Sequence, residues 1–200
     1  MDKIDLFKLH KADYIASKEP ILNEITMANY LVINGIGAPG EASFEDAINA
    51  LYAMAYTIKM TRKKQNKGDY VICKLEARYF CGSEQCLSEI DKTLWHWQLM
   101  IRTPSHVEMT DLKQAAKALF EKGKTPSVNK VMMIEHEFGP CIQMLHIGAY
   151  EDEYLSIKQM SAFAVENNLS ALGEHCEIHI SDPRRIPPER LKTILRMTIV

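Results

Sequence analysis

The sequence lacks a long apolar run, a surplus of either charge and a paired-cysteine motif. Each lack removes a class of function. No stretch approaches the roughly 20 apolar residues a membrane helix needs, so no membrane partner is expected. Lys and Arg number 24 against 26 Asp and Glu, a formal charge of −2. The basic residues are dispersed apart from Arg62, Lys63 and Lys64, which argues against a nucleic-acid partner. The five cysteines are an odd number without a CxxC pair, the pattern of reduced thiols in a cytoplasm. Met1 to His10 is polar and charged, unlike a secretory leader. There is no Gly-rich phosphate loop, nucleophile elbow or dinucleotide fingerprint, so no cofactor is expected.

What remains is an ordinary globular composition, 46% hydrophobic and 25% charged, in 200 residues. That length suits one domain over 1–200, and residues 1–20 read as a polar arm. Strands are expected over Leu22–Thr26 and Ala28–Ile36, then a turn at Pro39 and Gly40. Ser43 is a plausible N-cap for a helix that carries Phe44, Ala47, Ile48, Leu51, Ala55 and Ile58 at helical spacing to about Lys64. Tyr70–Phe80 and Leu94–Arg102 read as strands, separated by a loop or lid over Gly82–Lys92. A second helix runs from a cap near Thr110 to Gly123. Val128–Phe138 and Cys141–Gly148 read as strands, most simply a hairpin joined at Gly139 and Pro140. A third helix follows from about Glu151 to Asn168, its opening acids suited to the positive helix end. Strands over Glu174–Ser181 and Leu191–Val200, split by a turn from Asp182, close the chain.

Ile36-Gly37-Ala38 and Ile147-Gly148-Ala149 both end a strand and lead into a helix followed by more strand. This echo suggests two strand–helix–strand–strand units, 21–125 with an added helix and 126–200. Such units could pair their sheets about a pseudo-twofold axis and leave a groove between them.

The closing stretch His175-Cys176-Glu177-Ile178-His179-Ile180-Ser181-Asp182-Pro183 resembles the last motif of GyrI-like proteins. Leu51 to Lys59 looks like that family's first helix, Trp95 to Arg102 like its central strand, and Gln143 to Glu153 like the strand-to-helix junction of its second repeat. Together the segments run in order from about Asp13 to Val200. The resemblance implies an α+β fold of two repeats with pseudo-twofold symmetry and a ligand cleft between them. It implies a small-molecule partner, a flat cation or apolar xenobiotic held for sequestration or sensing, and a monomer or homodimer. The chain is similar to stand-alone members without a DNA-binding helix-turn-helix. Among these it resembles the cyclopropanoid cyclopropyl hydrolases, which open the cyclopropane of DNA-alkylating natural products inside an aromatic cage. It departs from their pattern at His179, where Tyr is usual, and at Glu76-Ala77-Arg78, where Glu-Gly is usual before the Tyr79-Phe80 pair. Ala149 and Tyr154 stand where Pro is usual.

Alternation on a strand puts Glu177 on one face with His175 and His179, and Cys176, Ile178 and Ile180 on the other, which should pack on the helices. Glu177 thus reads either as a solvated carboxylate or, with the family motif, as a cleft-floor group that attracts a cation or acts as catalytic base. No metal is expected of the two histidines, since four residues on a strand span roughly 13 Å. Trp97 and Trp95 face one way, toward the core or as a cleft wall, with Trp97 the stronger candidate. Tyr52 and Tyr56 share a helix face, while Tyr79, Phe80 and Tyr150 lie near strand ends where walls form. His146 reads equally as a structural histidine or a polar contact in the cleft.

Overall fold

The structure is a computed structural model that describes residues 3–80, 91–124 and 126–200. Most of the lid expected over Gly82–Lys92, and both Cys81 and Cys86, lie outside the described residues.

The fold is α+β. A short N-terminal strand, β1 (Ile4–Asp5), and helix α1 (Leu6–Leu9) lead through a 3-10 turn at Lys11–Tyr14 to β2 (Ile21–Ile25) and β3 (Ala28–Ile36). Helix α2 (Ala42–Lys64) follows, capped at Glu41 rather than at Ser43. The strand expected over Tyr70–Phe80 is broken. β4 (Tyr70–Val71) leaves the main sheet to pair in parallel with β1, and β5 (Leu75–Phe80) resumes after it. β6 (His96–Thr103) leads to helix α3 (Met109–Glu121). That helix is opened by a reciprocal capping box between Glu108 and Asp111, two residues before the Thr110 the pattern suggests. β7 (Met132–His136), β8 (Gly139–Ile147), helix α4 (Glu153–Glu166), β9 (Ala171–His179) and β10 (Lys192–Ile199) complete the chain.

Among the described residues, eight strands form one antiparallel sheet in the order β2-β8-β10-β9-β5-β6-β3-β7. The segments β3-α2-β5-β6 and β8-α4-β9-β10 each run strand–helix–strand–strand, each places its last strand between its first two, and they join through β5 and β9 at the centre. The expected hairpin does not form. β7 pairs with β3 and β8 with β2, so strands adjacent in the chain lie at opposite ends of the sheet. Only Glu137 and Phe138 separate β7 from β8, and only Thr26 and Met27 separate β2 from β3. Two linking residues span at most about 11 Å, so the two rims of the sheet must curl toward each other. Gly139, at φ +66, sets the bend that an ordinary side chain would resist.

The curl gives the sheet an inner and an outer face. The inner face packs Ile25, Tyr30, Val32, Phe138, Cys141 and Cys176 together. It also holds a fully buried ion pair, Arg196 with Glu76 at 3.4 Å. Arg196 donates to Gln143 and to the Asp13 carbonyl, and Arg102 pairs with the Asp13 carboxylate, so the N-terminal segment is tied into this face. On the outer face α2 packs over β3 and β6, and α4 over β8 and β10. This reverses one expectation: the helices cover the Glu177 side. Cys176 packs inside the curl, and Ile178, opposite the ion-paired Glu76, lies on the same inner face. β5 and β9 are left as the floor between α2 and α4.

Candidate functional site

That floor carries the titratable residues. The register sets Glu177 opposite Ala77 and Leu195, and His175 opposite Tyr79, all on the outer face. Glu177 lies between two histidines, with His175 Nε2 3.4 Å from Oε1 and His179 Nε2 3.7 Å from Oε2. Both imidazoles reach one carboxylate, although they stand four residues apart. Tyr79 donates to Glu177 Oε2 at 3.4 Å, and Tyr150 OH lies 3.4 Å from His179 Nδ1. The Glu177 side chain is 13% exposed, so little of the floor reaches solvent where α2 and α4 flank it.

A residue the sequence reading passed over completes the group. Glu153, first in α4, is 4% exposed and turns toward Glu177. Its charge suits the positive helix end, but its spacing sets it on the buried side of the helix. Glu153, Ser156, Met160 and Ala164 form the buried stripe of α4. Burial, and then the neighbouring charge of Glu177, push the Glu153 carboxyl up to about 9. Burial would raise Glu177 as well, but the contact and charge of His175, the charge of His179 and a hydrogen bond from Glu153 hold it below the usual carboxylate value. Near neutral pH the pair therefore carries one proton, and Glu153 holds it. Burial also lowers His179, against the opposing pull of Glu177. Burial, then Glu177, raise Tyr79 well above its ordinary value and Tyr150 to about 12, so both phenols stay protonated donors.

Aromatic side chains wall the slot. Tyr79 is the hub, with its ring centroid 5.6 Å from Trp95, 6.3 Å from His175 in a stacked arrangement, and 6.5 Å from Phe44. Trp97 lies deeper, 3% exposed and edge-on to Phe44 at 5.2 Å. It fills the space over Gly35, where a Cβ would meet its ring at 2.1 Å. Of the two tryptophans, Trp95 is the one that meets both Tyr79 and partial solvent. Tyr52 is half-buried on α2, close enough to Asp182 and Arg184 to feel their charge, and Tyr150 feels Asp182 too.

The structure thus brings Tyr79, Tyr150, Glu177 and His179 together, with Tyr52 at the rim. It separates three other candidates from them. Phe80 faces the inner side of the sheet, against His96 at 5.8 Å. Tyr56 is 55% exposed and lines a shallow outer groove with Met60 and Lys122. His146 is buried and satisfied at both nitrogens, 3.0 Å from Ser156 Oγ and 3.1 Å from the Ala149 carbonyl. The carbonyl can only accept, so Nε2 donates to it and Nδ1 accepts from Ser156.

Among the described residues no helix is long and apolar enough to cross a membrane. No family model and no curated protein matches the sequence. Solved structures do. A protein from Listeria innocua described as uncharacterized and conserved is 30% identical, with a TM-score of 0.91 over 99% of this chain and 100% of that one. A hydrolase from Listeria innocua is 29% identical, with a TM-score of 0.89 over the whole of both chains. The EcmrR C-terminal domain shares the fold at 10% identity, with a TM-score of 0.56 over 91% of this chain and 97% of that one. At 30% identity along its full length, the chain belongs to the same family as the conserved Listeria innocua protein.

Proposed function

We propose that the slot between α2 and α4 binds a flat small molecule, apolar or cationic, in the manner of GyrI-like proteins. The observation that carries this reading is a buried carboxylate, Glu177, set among Tyr79, Tyr150 and His179 and bordered by Trp95 and Tyr52. Such a floor attracts positive charge, while its walls offer ring faces worth about 0.5–2 kcal/mol each toward a cation. Three or four faces with burial suffice for micromolar affinity. The test is a fluorescence titration with a rhodamine dye in buffer containing EDTA. Saturable quenching is expected, weakened at least about tenfold by Glu177→Gln. No saturation, or equal affinity in the variant, would overturn the reading.

A second reading has its own support. The hydrolase at 29% identity shares the whole fold, and Glu153 and Glu177 pair a carboxylic acid with a carboxylate. That pair suits water addition to a strained ring. Glu177 would take a proton from the attacking water as its oxygen bonds to a cyclopropane carbon, and Glu153 would protonate the group that receives the ring electrons. The sum is one added water. Mass spectrometry after incubation with a cyclopropapyrroloindole should show a gain of one water with the wild-type protein and far less with Glu177→Gln. An unchanged substrate mass would exclude this chemistry.

A further inference from the structure

We propose that Glu153, His175 and Glu177 form a binding site for one first-row divalent cation of the zinc class, seated between the two carboxylates. This goes beyond ligand binding in the slot and does not depend on it. One donor atom from each residue lies within 4.8 Å of the others. Ligands about 2.1 Å from a tetrahedral ion stand about 3.4 Å apart, and His175 Nε2 and Glu177 Oε1 already stand at 3.4 Å. The remaining closure falls to the Glu153 side chain, whose donor lies within 4.8 Å of the other two.

A second observation points to a bound group. Glu153 is 4% exposed and its Oε1 is buried without a hydrogen-bond partner. Buried carboxylate oxygens are ordinarily satisfied, and an ion between Glu153 and Glu177 would satisfy this one. The donors, two carboxylates and an imidazole, suit Zn2+, Co2+ or Mn2+ rather than a soft ion, and Cys176 lies on the opposite face of the sheet. Three protein ligands leave a fourth position open toward the slot. His179, 3.7 Å from Glu177 Oε2 and met by Tyr150, would orient the carboxylate from behind.

The test uses the full chain, stripped with a chelator and titrated calorimetrically with Zn2+. One ion per chain is expected, with a Kd in the micromolar range or tighter. Co2+ should give the visible absorption of a four- or five-coordinate centre. Glu153→Gln keeps the shape of the protonated side chain and is expected to fold, as circular dichroism would verify. It should weaken binding at least about thirtyfold, as should His175→Ala. Absence of stoichiometric binding, or binding equal in wild type and Glu153→Gln, would overturn the proposal. Dye affinity measured in EDTA stands or falls separately.

Discussion

Glu153 opens α4 and Glu177 lies near the end of β9, yet their carboxyl groups meet on the floor of the slot, with the proton on Glu153. The consequence for stability has a definite sign. A carboxyl raised to about 9 when folded binds a proton that the unfolded chain, near 4.5, releases. Its contribution is complete below about pH 4.5 and is lost as pH rises toward 9. Glu153→Gln removes that dependence, because the amide is always neutral. Thermal melts should show wild type and variant within about 1 kcal/mol near pH 5.5, and the variant more stable by about 1–3 kcal/mol at pH 9. Parallel pH profiles would show that Glu153 is ionised in the native state.

Gly35 and Trp97 pair across β3 and β6, and the indole occupies the space a side chain at 35 would need. Gly35→Ala places Cβ 2.1 Å from the ring, so Trp97 must shift away from Phe44. Overpacking of this kind costs about 1–3 kcal/mol. Denaturant titration should show that loss with a red-shifted tryptophan emission. Gly35→Ala combined with Trp97→Leu should lose less than the sum of the two single changes, because each relieves the other.

How far the sequence reveals this site depends on whether a residue's surroundings come from its own segment. Period-two alternation places Glu177 between His175 and His179, and that is what the fold shows. Helical spacing locates α2 and α4 because their apolar stripes are local. The same reading misses what depends on distant partners. Glu153 looks like a dipole-matching acid until β9 is seen beneath it. Alternation sets Trp95 and Trp97 on one face, but only Gly35, on a strand that begins 68 residues before Trp97's own strand, makes Trp97 a core residue. The expected hairpin at Gly139 failed for the same reason. The pairing of β7 with β3 and of β8 with β2 is decided across more than 100 residues, and a two-residue link alone does not encode it.

Inside the curl, Arg196 and Glu76 form an ion pair at 1% and 0% exposure. Arg196 stacks over Phe138 at 4.6 Å, and Glu76 accepts from Tyr14 at 3.2 Å. Glu76→Leu strands a buried guanidinium and should cost about 3–5 kcal/mol, as should Arg196→Met from the other side. Replacing both with apolar side chains of similar volume removes the stranded charge. The double variant should lie within about 2 kcal/mol of wild type in urea unfolding. Additive losses would mean that the two side chains do not interact.

His146 separates architecture from ligand contact. Its ring ties the Ala149 carbonyl and Ser156, on either side of the α4 start, and packs 3.0 Å from where a Cβ on Gly148 would sit. His146→Ala removes two buried hydrogen bonds, each worth about 0.5–1.5 kcal/mol, and leaves the Ser156 hydroxyl without its acceptor. Stability should fall by about 1–3 kcal/mol. Because the imidazole has no free nitrogen to offer the slot, dye affinity measured well below the melting temperature should change by less than about threefold. A tenfold loss of affinity with an unchanged melting temperature would instead make His146 a ligand contact. Ser156→Ala gives the complementary check. It removes one of the two hydrogen bonds from outside the slot, so it should reproduce about half the stability loss and none of any effect on binding.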